Sequence, residues 1–161
     1  MKPYLACALL ACVLPAAGVH AAAADHVRAS HGWLRVLPGS LPAAGYVILH
    51  NEGDQPAELT GASTVAYARV MLHQSSMQGG MSRMSMIDAL PVPAHGKAVL
   101  APGGYHLMLM QPATTVTPGQ HVRVLLKFSD GSSLPTEFIA RPANALDDGD
   151  THARPTTHAG G

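Results

Sequence analysis

The chain has 161 residues, enough for one ordinary domain and too few for two of normal size. Basic residues (Lys and Arg) and acidic residues (Asp and Glu) number 10 each, so the formal charge is zero when histidine is neutral. This balance argues against nucleic acid or an anionic membrane surface as the main partner, because both attract clustered basic charge. Only 12% of residues are charged, whereas histidine numbers 10 and methionine 8, so side chains that bind metals are unusually prominent.

Residues 1–23 are predicted to be a cleaved secretory signal. Lys2 provides a positive start, an apolar run follows at 4–14, and four consecutive alanines allow cleavage near Ala23. The apolar run is too short for a transmembrane helix, which needs about 20 residues, so we expect no membrane insertion after cleavage. A lipoprotein signal ending at Cys12 is the weaker alternative, because it would leave an apolar segment exposed after the cysteine.

Both cysteines of the chain, Cys7 and Cys12, lie in this predicted signal. The mature protein would then have no disulfide, and its stability must come from a hydrophobic core. Cysteine proteases, thioredoxin-like redox enzymes and cysteine-ligated blue-copper carriers are excluded, because each needs a thiolate.

The mature chain is predicted to be all-β, with short apolar or β-branched runs separated by turn residues. Eight or nine strands at this spacing favour a Greek-key β-sandwich over residues 24–141. Residues 142–161 contain almost no large apolar side chains and are predicted to be a disordered tail, in which His152 and His158 would bind metal weakly at most. The candidate strands are Trp33–Leu37, Gly45–Leu49, Ala57–Ala62, Arg69–His73, Met84–Asp88, Lys97–Leu100, His106–Met110, His121–Phe128 and Leu134–Ile139.

The methionines after the signal all fall within one window of 40 residues, 71–110. Methionine often fills gaps in a core, but methionines used only for packing would be spread over all the strands. Clustering therefore favours a functional role. The seven residues are Met71, Met77, Met81, Met84, Met86, Met108 and Met110.

Two segments of this window are expected to bring histidine and methionine together. A hairpin with its turn at Gln78-Gly79 would place His73 opposite Met84, and Met71 opposite Met86, at Cβ separations of about 4.5–5.5 Å. In the later strand, His106, Met108 and Met110 alternate with Leu107 and Leu109, so that the leucines face the core and the metal-binding side chains face away from it.

This combination of side chains indicates a soft metal ion. Thioether sulfur suits Cu(I), and imidazole also binds it, whereas hard cations prefer oxygen and zinc sites normally use His, Cys or acidic residues. Methionine also avoids the oxidation-prone thiol outside the cytoplasm. The sequence therefore predicts a Cu(I) carrier.

The run His73-x10-Met84-x21-His106-x-Met108 resembles the copper-binding pattern of the periplasmic copper chaperones of the PCuAC type. The surrounding segments 77–81, 84–86 and 102–110 are similar to that family as well, and the similarity covers roughly residues 33–138. Gln74 stands where some members have a methionine after the first histidine.

The resemblance implies a cupredoxin-like β-sandwich that binds one Cu(I) per chain through His73, Met84, His106 and Met108. It also implies a monomer of the bacterial periplasm that delivers copper to the CuA centre in subunit II of cytochrome c oxidase, alongside a thioredoxin-like copper-delivery protein. Some members carry a His/Met-rich C-terminal extension for a second ion, as Cu(II). Here the tail has only His152 and His158 and no methionine, which leaves a weak Cu(II) site at most.

Three alternatives remain at this stage. A copper buffer or resistance protein would use the same site without a dedicated acceptor. An exported adhesion or scaffolding module would use the methionines only for packing. An enzyme is improbable, because the chain lacks H-E-x-x-H, a P-loop, a dinucleotide fingerprint and a G-x-S-x-G elbow.

Overall fold

The computed structural model describes residues 22–145. The predicted signal at 1–23 lies almost wholly outside this range, as do most of the tail and both of its histidines. Within residues 22–145, no helix is long and apolar enough to cross a membrane. The elements are a short helix, α1 (Ala23–His26), and strands β1 (Val27–Arg35), β2 (Ala43–Asn51), β3 (Ala57–Ser63), β4 (Tyr67–Gln78), β5 (Met81–Met86), β6 (Leu90–Val92), β7 (Lys97–Leu100), β8 (Tyr105–Pro112), β9 (His121–Phe128) and β10 (Ser133–Arg141).

Hydrogen bonds link the ten strands in the order β5-β4-β8-β7-β2-β1-β10-β9-β3-β6, with a further pairing of β8 with β2. The sheet folds over on itself, since β3 also contacts β4 and β6 contacts both β2 and β7. One face is thereby enclosed as a single apolar core. The all-β sandwich expected from the sequence is confirmed.

The core follows from strict alternation along the strands. In β9, four apolar side chains at even positions from Val122 to Phe128 are buried, and every odd position from His121 to Lys127 is exposed. Two predicted strands, 97–100 and 121–128, have the observed bounds. Strand β1 begins at Val27, six residues before the predicted start, and β6 was not predicted because it has three residues and contains Pro91.

The hairpin β4–β5 turns at Gly79 and Gly80, whose φ angles are +58° and +77°. Positive φ at both central residues suits the two-residue turn that matches the strand twist, and glycine adopts it without steric cost. The predicted pairing of His73 with Met84 and of Met71 with Met86 is therefore wrong by two residues. His73 lies opposite Met86, and Met84 lies opposite Ser75.

Candidate metal centre

The pairing of β4 with β8 brings the two predicted histidine ligands together. His73 lies directly opposite His106, and the next pair on the same face joins Met71 to Met108. The two imidazole rings have centroids 5.7 Å apart at an interplanar angle of 69°. Because a metal lies about 2 Å from a ligating imidazole nitrogen, rings that share one ion have centroids about 6 Å apart. The observed separation fits a shared ion.

Leucines on the opposite face of the same strands anchor this arrangement. Leu72, Leu107 and Leu109 are almost completely buried in the core cluster. Since side chains alternate between the two faces, His73, His106 and Met108 lie on the face away from this core, as the sequence predicted. His106 is nevertheless only 4% exposed, so the inner end of the site is shielded from water.

A backbone contact sets the tautomer of His106. Its Nδ1 lies 3.2 Å from the carbonyl oxygen of Gly104. A carbonyl only accepts hydrogen bonds, so Nδ1 carries the proton and donates it. The lone pair of the neutral ring is then on Nε2, the nitrogen available to a metal.

His73 has a buried Nδ1 atom with no hydrogen-bond partner among residues 22–145. Burial lowers the pKa of His73 below its ordinary value, and electrostatic repulsion from the nearby His106 lowers it further. A lowered pKa favours the neutral ring, so His73 keeps a free lone pair to more acidic pH than an exposed histidine does. An unpaired buried nitrogen that stays neutral suits a metal ligand.

The thioethers surround the two imidazoles at different depths. Met108 is half-buried in the row next to His73 and His106. Met84 and Met86 are 54% and 63% exposed on the edge strand β5. The register places Met86 beside His73, whereas Met84 is diagonal to it, at a Cβ separation of about 7–8 Å. The structure thus groups His73, His106 and Met108 closely, with Met84 one row outside.

Within residues 22–145, no group of three or more His, Cys, Asp or Glu side chains could hold a metal ion. The other side chains with metal-binding atoms on the same face as His73 and His106 are methionines. Thioether and imidazole without carboxylate or thiolate form a neutral, soft ligand set, which suits Cu(I) and disfavours Mg²⁺, Ca²⁺ and Zn²⁺.

An aromatic group flanks the site on its other side and was not foreseen from the sequence. The Tyr46 ring lies 6.5 Å from that of His106, and the Trp33 ring lies 4.5 Å from that of Tyr46. The Arg35 guanidinium carbon lies 5.4 Å from the Tyr46 ring, and Arg35 and Arg141 lie 5.5 and 5.3 Å from the Trp33 ring. Burial raises the pKa of Tyr46, which Arg35 partly offsets.

This aromatic group lies outside the main core, on the same face of the sheet as His106. Trp33 is only 1% exposed there because it is sandwiched by the arginines and Tyr46. Trp33 therefore packs in this aromatic group and not in the main core cluster. The pairing of Trp33 with Tyr46 follows from β1–β2 register, which short sequence patterns do not specify.

Three other histidines have ordinary surface contacts. His95 pairs with Asp54 at 2.7 Å, His50 lies 3.3 Å from the Ser30 hydroxyl, and His121 lies 4.0 Å from Glu137.

Sequence comparison assigns the family. Residues 27–139 match the family model described as "Putative lipoprotein LpqE-like". The chain belongs to the LpqE-like family. A protein of Leifsonia xyli subsp. xyli described as "Putative lipoprotein Lxx21020" is 35% identical over 113 residues, which cover 70% of this chain and 68% of that protein.

Solved structures share the fold of this LpqE-like chain. The Cu(I)-bound solution structure of DR1885 from Deinococcus radiodurans matches with a TM-score of 0.58 and 32% identity, covering 78% of this chain and 83% of that one. The copper-bound PCuAC domain of PmoF2 matches with a TM-score of 0.62 and 23% identity, covering 76% and 98% of the two chains. The PCuAC-type fold expected from the resemblance is confirmed.

The contacts of His73 predict its titration in the metal-free protein. We expect NMR titration to give a His73 pKa below the ordinary imidazole value of about 6.5. His106→Gln should raise this pKa only part-way, because burial remains after the neighbouring positive charge is removed. His50→Gln is the matched control and should leave it unchanged. A His73 pKa that does not respond to His106→Gln would contradict the arrangement.

Proposed function

We propose that this LpqE-like protein is an exported metallochaperone that carries one Cu(I) per monomer and is not an enzyme. The proposed ligands are His73, Met84, His106 and Met108. The observation that carries the proposal is the direct pairing of His73 with His106, with methionine side chains on the same face. Among residues 22–145, no third His, Cys, Asp or Glu forms a metal-binding group with this pair.

The ligand set supports carriage rather than permanent storage of the ion. Neutral imidazole and thioether groups hold Cu(I) without a thiolate, so a stronger ligand on an acceptor can remove it. The copper-bound states named for DR1885 and for the PmoF2 domain support copper as the cargo. His152 and His158, outside the described residues, would provide at most a weak Cu(II) site.

The proposed acceptor is the CuA centre of cytochrome c oxidase, reached at subunit II directly or through a thioredoxin-like copper-delivery protein. This part of the proposal rests on the resemblance of the His/Met pattern to PCuAC-type chaperones. A copper buffer with the same site is the second candidate, because a neutral ligand set that releases Cu(I) suits exchangeable storage as well as delivery.

We propose export to the periplasm, with cleavage near Ala23. The first residue of the resulting mature chain contacts the fold, since Ala24 N donates to Ser132 Oγ at 3.1 Å. The contact of Ala23 N with Asp130 Oδ2, at 2.7 Å, would be lost with the signal. The family's description as a lipoprotein favours the alternative in which Cys12 is acylated and retained.

Titration with Cu(I) against a chromophoric competitor tests the binding site. We expect one tightly bound equivalent of Cu(I) in the unmodified protein. His106→Ala or Met108→Leu should weaken the affinity at least about 100-fold, because loss of a group that only supports a metal ligand already lowers affinity about 10–100-fold. His50→Ala, an exposed histidine on β2, is the control and should bind as the unmodified protein does. Equal binding by all variants would refute the assigned site, whereas absence of binding by the unmodified protein would favour a scaffolding module.

Deletion of the gene tests delivery. Under limiting copper, we expect cytochrome c oxidase activity to fall, and to be restored by added copper or by the intact gene but not by the His106→Ala gene. Unchanged oxidase activity together with increased copper sensitivity would identify the protein as a buffer.

Intact-mass analysis of the protein from its native host tests processing. Cleavage near Ala23 predicts an unmodified mature chain that begins at Ala24 and is recovered from the soluble fraction. A chain that begins at a lipid-modified Cys12 and partitions with membranes would contradict this proposal and establish the lipoprotein alternative.

A further inference from the structure

The hairpin register places a fifth candidate ligand at the site. Met86 lies directly opposite His73, on the same face, and in one row with His106. Directly opposed side chains have Cβ atoms about 4.5–5.5 Å apart, and methionine adds three rotatable bonds before its sulfur. The Met86 sulfur can therefore reach an ion at His73 without movement of the strand.

Exposure increases from one side of this row to the other. Within the row, His106 is 4% exposed, His73 is intermediate and Met86 is 63% exposed. Met84, one row outside, is 54% exposed. β5 is the edge strand of the sheet, and all six of its residues are exposed. On the opposite side, the buried Tyr46 ring lies 6.5 Å from the His106 ring. Among residues 22–145, the methionine side is therefore the more exposed approach to this row for copper.

We propose that Met86 is an exchange ligand for Cu(I), a thioether that takes the ion as it leaves the four-ligand site. The inference rests on the proposed function and adds a residue to its site. Copper remains Cu(I) throughout, since one Cu–S bond to Met86 forms as the Cu–S bond to Met84 breaks. The ion then lies at the exposed edge of the sheet. There, ligands of the acceptor replace its remaining protein ligands one at a time.

The chain contains a matched control on the same strand. Met81 is 62% exposed, almost the same as Met86, but it pairs with Gln78 and lies on the opposite face of the hairpin. Met86→Leu and Met81→Leu therefore remove the same group at equal exposure. Only the first removes a sulfur that faces His73.

The experiment is stopped-flow transfer of Cu(I) from the loaded full-length protein to a chromophoric chelator, with the affinity measured in parallel. We expect the Met86→Leu variant to bind one equivalent of Cu(I) with nearly unchanged affinity. Its transfer rate should fall about tenfold, which is the lower end of the roughly 10–100-fold effect of removing a group next to metal ligands. Met81→Leu should transfer at the unmodified rate. Circular dichroism of both variants checks that the sheet is intact.

Two results would overturn the inference. Equal transfer rates in Met86→Leu and Met81→Leu would show that Met86 takes no part in exchange. Weaker binding with faster release in Met86→Leu would show that Met86 is a resident ligand instead. If the unmodified protein binds no Cu(I), the proposed function and this inference fail together, whereas either of the first two results leaves the proposed function intact.

A double-mutant cycle provides a second test. If Met86 can take the place of Met84, Met84→Leu alone should retain weakened binding, because Met86 substitutes for the lost sulfur. The double variant should then lose more affinity than the two single losses combined predict. Strictly additive losses would contradict the exchange of one thioether for the other.

Discussion

The backbone pairing of β4 with β8 is the contact on which the candidate site depends. It places His73 against His106 and, through the period of two, places Leu72, Leu107 and Leu109 in the core. A slip of one residue would turn the imidazoles into the apolar core and the leucines out of it, so hydrophobic packing specifies the register. The two rings are therefore held 5.7 Å apart by the fold itself, before any metal binds. Such pre-organisation reduces the ordering that binding of the ion requires.

The surroundings of this pair are asymmetric, and the asymmetry matters for charge as well as access. One side ends in exposed methionines, and the other in Tyr46 and Trp33 with Arg35 and Arg141 against their rings. Permanently charged guanidinium groups beyond Tyr46 repel a bound cation, and they repel a doubly charged ion twice as strongly as a singly charged one.

Sequence reasoning predicted well what depends on alternation and less well what depends on register. The bounds of β7 and β9 and the separation of His106 from Leu107 follow from period two alone. The hairpin pairing was wrong because its turn was placed at Gln78-Gly79, whereas the two-residue turn needs positive φ at both centres and uses Gly79-Gly80. Moving the pairing by two residues kept every side chain on its predicted face. What changed is the cross-strand partner of His73, which is Met86 and not Met84. The contact of Tyr46 with His106 joins strands that are distant in sequence, which no local pattern specifies.

The edge strand β5 argues most directly against a purely structural role for the methionines. Exposed edge strands invite unwanted pairing, and proteins usually protect them with charge or a covering segment. In β5, Arg83 supplies a charge, yet Met81, Met84 and Met86 are each more than half exposed. Methionine that fills a core gains stability from burial, and these three side chains gain little. Two of the three, Met84 and Met86, lie on the same face as His73. Their exposure has a physical reason if an incoming ligand must reach the ion from that edge, because burying the sulfur atoms would close that approach to the imidazole pair.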